Sequence, residues 1–252
     1  MENQDFHKRT TIKGGPFHFH CHPQVSCFLT CCHNVDMFLY PYDLLRLKER
    51  LNISSEEILQ KYTRISEGSH PFFPGLMLQL RETEGKPCPF LEDSGCSVYL
   101  DRPSACRTYP LERGVERSPQ SKALKVHYFL THHPYCKGHD EERTYTVKQW
   151  ERDQGLHEYN LQNDLWAEMD AFFATNPWKG EGHAGPLQQL AFMVCYNIDA
   201  FRQYVKEHQI IQQYRVDKAT KQRLRRNDDA LLLFGYQWLL AILGGKSQLI
   251  RR

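Results

Sequence analysis

Residues 88–111 read CPFLEDSGCSVYLDRPSACRTYPL. Cys88, Cys96 and Cys106 stand here among Pro89, Gly95, Pro103 and Pro110. The stretch shows neither the 3.6-residue apolar period of a helix nor the sustained alternation of a strand. Proline and glycine punctuate it too often for either. Such a segment buries little apolar surface for the backbone entropy it loses. Its order must come from another source. Thiolate–metal bonds, whose free energy acts as folding free energy, are the source its composition offers.

The cysteines continue on both sides. Cys21, Cys27, Cys31 and Cys32 precede the stretch and Cys136 follows it, while the rest of the chain holds only Cys195. Thiolates are soft ligands that suit zinc and iron–sulfur clusters. At 252 residues the chain is long enough to bury a core without disulfides. Its start, MENQDFHKRTTIKGGPFHFH, is polar and has no apolar signal region. The longest apolar stretch, Ala230 to Leu243, is too short to span a bilayer. We therefore expect a cytoplasmic protein with no membrane association, whose cysteines bind metal rather than form a disulfide framework. The candidate ligands are Cys21, Cys27, Cys31, Cys32, Cys88, Cys96, Cys106 and Cys136.

Their spacing leaves the metal open. The first group is Cys21-x5-Cys27-x3-Cys31-Cys32 and the second is Cys88-x7-Cys96-x9-Cys106. Neither contains the CxxC knuckle of a zinc ribbon or the CxxCxxC run of a ferredoxin. Neighbouring side chains diverge, so Cys31 and Cys32 fit poorly around one tetrahedral ion. They fit better on two irons of a cluster, or on two sites. The net charge is only +2. Eight thiolates would make it strongly negative, so a bound cation belongs to the electrostatic design. The same balanced charge argues against nucleic acid, and the basic run from Arg215 to Arg226 reads as a solvated helix face or connector.

Three stretches are distinguishable: an arm over 1–20, a cysteine-rich metal-binding domain over 21–140, and a helical region over 141–252 packed on it. The expected class is α+β, mainly α. Pro41 to Leu51 carries Leu44, Leu47 and Leu51 on one helical face, and Ser54 with Glu57 forms a capping box for a second helix through about Tyr62. Phe72 to Arg81 and Lys125 to Thr131 read as strands. Val147 to Ala174 and Pro186 to His208 each read as one long helix. Asn227 caps a last helix, Ala230 to Leu243, which is apolar nearly all round and therefore buried.

Other residues near the cysteines carry weaker signals. His18, His20 and His22 alternate beside Cys21, and His132-His133 precede Cys136. They read as ordinary polar residues, with His22 and His133 nearest to a ligand role. Arg102 and Arg107 flank Cys106, either as donors to anionic sulfur or as a turn and a surface ion pair. Tyr40, Tyr42, Tyr99 and Tyr109 read as core aromatics, and Cys195 as an inert buried thiol.

The segments Cys27-Phe28-Leu29-Thr30-Cys31-Cys32, Cys88-Pro89-Phe90-Leu91 and the block GCxxYxxRPxxCRxYP from Gly95 to Pro110 resemble the CxxCxxCC zinc- or iron-chelating family, the YkgJ-like cysteine-cluster group. The resemblance covers residues 20 to 140. It implies metal chelation by the cysteines, and it includes a flagellin lysine N-methylase that uses S-adenosylmethionine and is associated with an iron–sulfur cluster. Three readings follow. The first is an iron–sulfur protein, 4Fe-4S favoured, with a redox or modification-supporting role. The second is a structural zinc protein acting through a surface. The third is a protein lysine N-methyltransferase-like enzyme. In each, the partner or substrate is expected to be a protein. No Walker A, GxGxxG, HExxH or GxSxG motif is present to assign an enzyme activity.

Overall fold

A computed structural model describes residues 8–12, 14–66, 70–117 and 124–252. Of the expected arm, residues 1–7 and 13 lie outside the described residues. The protein is α+β with helices predominating. It forms two compact units, each assembled from separate parts of the chain: residues up to Met37 with Leu80–Asp164, and Phe38–Gln79 with Leu165–Arg252.

The first unit contains an antiparallel sheet in the order Lys8–Thr11, Leu124–His132, Leu111–Arg117. Its central strand was legible in the sequence. Its partner over 111–117 was not, because Glu112, Arg113 and Gly114 interrupt any apolar pattern. A second pair, Phe17–His18 with Thr144–Tyr145, sets His18 opposite Thr144. Phe17, Phe19, Leu111, Tyr145, Trp150 and Leu156 form the core beneath these strands, joined by Cys136. Trp150 meets Phe19 edge-on at 5.4 Å and Tyr145 at 4.9 Å, and its indole N–H reaches Thr108 O at 2.9 Å. Gly138 permits this packing. A Cβ there would lie 2.9 Å from the Phe19 ring.

In the second unit the two early helices form where expected, over Pro41–Leu51 and Ser55–Tyr62. The capping box is complete: Glu57 N–H donates to Ser54 Oγ and Ser54 N–H to Glu57 Oε2. The strand expected over 72–81 is confined to Gly75–Leu78, central between Phe38–Leu39 and Thr63–Ser66. Leu76, Met77 and Leu78 are all buried, so it is covered on both faces rather than alternating. Phe73, Trp166, Phe173, Trp178 and Tyr196 stack around one another, with Phe73 and Phe173 at 4.5 Å. The last helix, Asp228–Leu243, is capped by Asn227 and largely buried.

Both long helices expected beyond residue 140 are broken. Val147–Asp153 and Leu156–Phe173 are separated at Gly155, whose φ of +60° leaves the helical region. Pro186–Tyr196 and Ile198–Glu207 are separated at Asn197, whose side chain caps the second helix by accepting from Ala200 N–H. Apolar periodicity persists across such one-residue breaks, so the pattern alone reads as continuous.

Candidate metal centre

All eight candidate ligands belong to the first unit, and Cys195 belongs to the second. Among the described residues no disulfide joins any two of the nine cysteines. Cys195 is buried in the helix Pro186–Tyr196, which pushes its thiol well up.

The local backbone delivers the eight from several directions. Leu29, with φ +67°, turns the chain into the single 3₁₀ turn Thr30–Cys32. Cys88 N–H donates to Cys32 O at 2.7 Å, and His33 bridges to Pro87. These contacts clamp the first cysteine group to the second. Leu91–Glu92 and Gly95–Cys96 then form a tight hairpin with Leu91 opposite Cys96. Cys106 sits in the short helix Ser104–Thr108 with its sulfur 3.8 Å from Met37 Sδ. Cys136 follows the sheet and is brought beside Cys27, whose sulfur accepts Lys137 N–H at 3.0 Å.

Three of the sulfurs accept a backbone N–H from their own loop. Cys88 accepts the backbone N–H of Phe90, Cys96 that of Val98 and Cys136 that of Gly138, and each bond lowers the thiol's pKa. In each case the donor lies two residues on, so the loop itself supplies it. Burial acts against them and is the larger effect, so all three thiols are raised.

The sulfurs also feel one another. Cys21 is pushed up to about 11 by burial and then by Cys31, Cys136 and Cys27. Cys31 is drawn down to about 7 by its hydrogen bond with Cys32. Cys32 is raised by giving that bond, by burial, and by Cys31, Cys88 and Cys106. Without a cation these thiols resist simultaneous ionisation, whereas a metal reverses the balance and deprotonates its ligands. The donor set therefore fits a thiophilic metal. No three of the sulfurs lie mutually within 4.8 Å among the described residues.

The flanking side chains hold the loops. Arg107 donates to Leu100 O and Gln154 O rather than to a surface acid. Arg102 donates to Tyr99 O at 2.6 Å and to the Gln154 side chain, lies 4.0 Å over the Tyr99 ring, and is close enough to Cys96 and Cys106 to feel their charge. Tyr99 is 56 % exposed, contrary to the core reading, because its ring covers Arg102 instead of entering the interior. Tyr42 is buried as expected. Tyr109 packs edge-on against Phe19 and bonds Cys136, and burial first and then that bond push its hydroxyl far up.

Of the histidines, His133 stacks between Tyr109 and Tyr135. His22 meets Glu141, with its Nε2 3.2 Å from the carboxylate. Sequence reasoning missed Glu141, the Lys137 N–H and His139, whose imidazole burial lowers to about 4 beside His132. None has a sequence signal of its own. Glu141 meets His22 and His139 meets Phe19 beside the pairing of residues 17–20 with 138–145, and the Lys137 N–H meets Cys27.

No helix among the described residues is long and apolar enough to cross a membrane. Comparison with curated proteins finds no match, and neither does comparison with solved structures. A family model does match, over residues 20–149, a span that holds all eight clustered cysteines. The chain belongs to the CxxCxxCC family, described as "Putative zinc- or iron-chelating domain".

Proposed function

We propose that the eight thiols hold iron as iron–sulfur centres, 4Fe-4S favoured, in two sets that meet at Cys31-Cys32. The observation that carries this is the pattern of mutual influence among the sulfurs. Cys21 feels Cys31, Cys136 and Cys27, and Cys32 feels Cys31, Cys88 and Cys106, with Cys96 joined through Cys88; Cys31 also reaches Cys88 and Cys96, so the sets Cys21, Cys27, Cys31, Cys136 and Cys32, Cys88, Cys96, Cys106 meet at the adjacent pair. Each set offers four thiolates, and the adjacent pair divides between them. The spread of the sulfurs supports multinuclear centres. Four thiolates at about 2.3 Å from one tetrahedral zinc would lie about 3.8 Å apart, whereas among the described residues no three of the sulfurs lie mutually within 4.8 Å. When bound, such clusters supply one-electron chemistry. The chain's own residues supply N–H donors to sulfur, a tyrosine bonded to Cys136 and partial shielding from water.

The second reading is two closed zinc sites, which the division into fours would also suit. Exposed Tyr99 and Leu100, together with exposed Cys21, Cys31 and Cys106, support exchange with a protein partner in the iron reading. Anaerobic purification with iron, zinc and acid-labile sulfide analysis tests the proposal. A brown protein with iron and sulfide in equal amounts is expected. A colourless protein carrying about two zinc ions and no sulfide would replace the first reading by the second.

A further inference from the structure

We propose that His20, His22 and Glu141 form a separate metal site, taking a divalent first-row transition ion through two imidazole nitrogens and one carboxylate oxygen. One ligand atom from each lies within 4.8 Å of the others, and all three residues are half-buried. The His20 and His22 rings are 4.5 Å apart and inclined at 46°. His22 Nε2 already stands 3.2 Å from Glu141 Oε2, and its Nδ1 lies 2.7 Å from Gln24 Oε1. Donors held at about 2.0–2.2 Å around a tetrahedral ion sit about 3.4 Å apart. One edge of the triad therefore has ligand spacing, and His20 needs only a small closure.

The fold builds this site on purpose-shaped backbone. The ladder that sets His18 opposite Thr144 continues through Phe19 N–H to Arg143 O and His20 N–H to Gly138 O, each at 2.9 Å. It carries both histidines past the turn that presents Glu141. Cys21, between them in sequence, feels Cys31, Cys136 and Cys27. An ordinary surface ion pair accounts for His22 with Glu141. It does not account for a second imidazole beside them whose ring makes no hydrogen bond among the described residues. Gln24 stands where a metal-bound imidazole's outer partner belongs, holding the ring's orientation. Two histidines and one carboxylate accept zinc(II) or iron(II) and leave a coordination position open to solvent, unlike a closed four-thiolate site. The inference does not depend on how the thiols are loaded.

The test is a cobalt(II) titration of the full-length, metal-free protein with two readouts: total bound cobalt, and the thiolate-to-cobalt charge-transfer band that reports sulfur ligation alone. His20→Asn and Glu141→Gln are each expected to lose about one equivalent of cobalt with the charge-transfer band unchanged. Glu142→Gln, which removes an exposed neighbouring carboxylate, is expected to lose none. Unchanged stoichiometry in both variants, with folding verified by circular dichroism, overturns the site. Loss of the charge-transfer band together with the equivalent also overturns it, since the histidines would then serve the thiol centre. Loss of the equivalent in a protein that shows no charge-transfer band at all would support this site and leave the thiol reading to be decided by the iron and sulfide analysis.

Discussion

Cys31 and Cys32 occupy adjacent positions and share a hydrogen bond; Cys31 reaches Cys21, Cys88, Cys96 and Cys136, and Cys32 feels Cys88 and Cys106, so the pair is where the two groups of cysteines meet. The two-set arrangement makes a specific demand on single thiols. Cys106→Ser is expected to remove about half the bound metal, because one set loses a ligand and the other is intact. Cys195→Ser, a change at a buried helix position, is expected to leave metal content as it was. Elemental analysis of the purified variants checks both, and equal loss from the two would sink the assignment. A second residue-scale prediction concerns Asp199. Burial raises its carboxyl, but the Lys48 hydrogen bond, the Ser55 N–H and the Lys48 charge outweigh this and leave it lowered. A folded-state pKa below the unfolded value of about 3.9 stabilises the protein above that pH, and the contribution is lost as pH falls through the folded value. Lys48→Met should therefore destabilise near neutral pH. Because Asp199 is more than a third exposed and screened, the cost is held to about 1 kcal/mol or less. Urea unfolding from pH 3 to 7 should show the gap to the parent closing toward the acid end. A gap constant with pH would rule the coupling out.

At the level of elements, breaks in periodic segments decide where helices point. Gly155 lets the chain leave one helix and start another, and at this break Arg107 reaches Gln154 O. A side chain there must adopt a left-handed conformation, with its Cβ 3.3 Å from Arg107 Nη1. Gly155→Ala is expected to cost about 1–2 kcal/mol in chemical denaturation. A neutral or stabilising effect would show that the turn relaxes to a continuous helix, as the periodicity alone suggests. Helix starts were legible because their signals are local: Ser54 with Glu57, Asn227 with Ala230 N–H. Breaks were not, because Gly155 and Asn197 interrupt the backbone without interrupting the spacing of apolar residues.

For the whole molecule, the second unit and the cysteine loops of the first differ in how fully their side chains are packed. The second packs Phe73, Trp166, Phe173 and Trp178 around one another, and aromatic pairs of this kind contribute about 0.5–1.5 kcal/mol each beyond their buried area. The cysteine loops of the first bury Phe90 and Val98 but expose Tyr99 and Leu100. Removing metal should therefore open residues 85–110 to protease while the helical signal of the second unit persists. Limited proteolysis of loaded and metal-free protein makes the comparison. Equal protection of residues 85–110 in both would mean that side-chain packing, not ligation, orders these loops.

The sequence by itself determined the chemistry: soft donors concentrated in one span, an irregular backbone around them, buried apolar helices elsewhere, and a family motif from Gly95 to Pro110. Composition, capping and turn residues act locally, so they can be read without coordinates. Only the tertiary structure decided which residues meet. That residues 38–79 join Leu165–Arg252, that Cys136 lies beside Cys27, and that Glu141 faces His20 and His22 all depend on contacts between residues far apart in the chain. Those contacts arise from strand pairing and core packing between segments whose local sequences carry no mark of their partners, which is why the concentration of cysteines was legible and which residues meet was not.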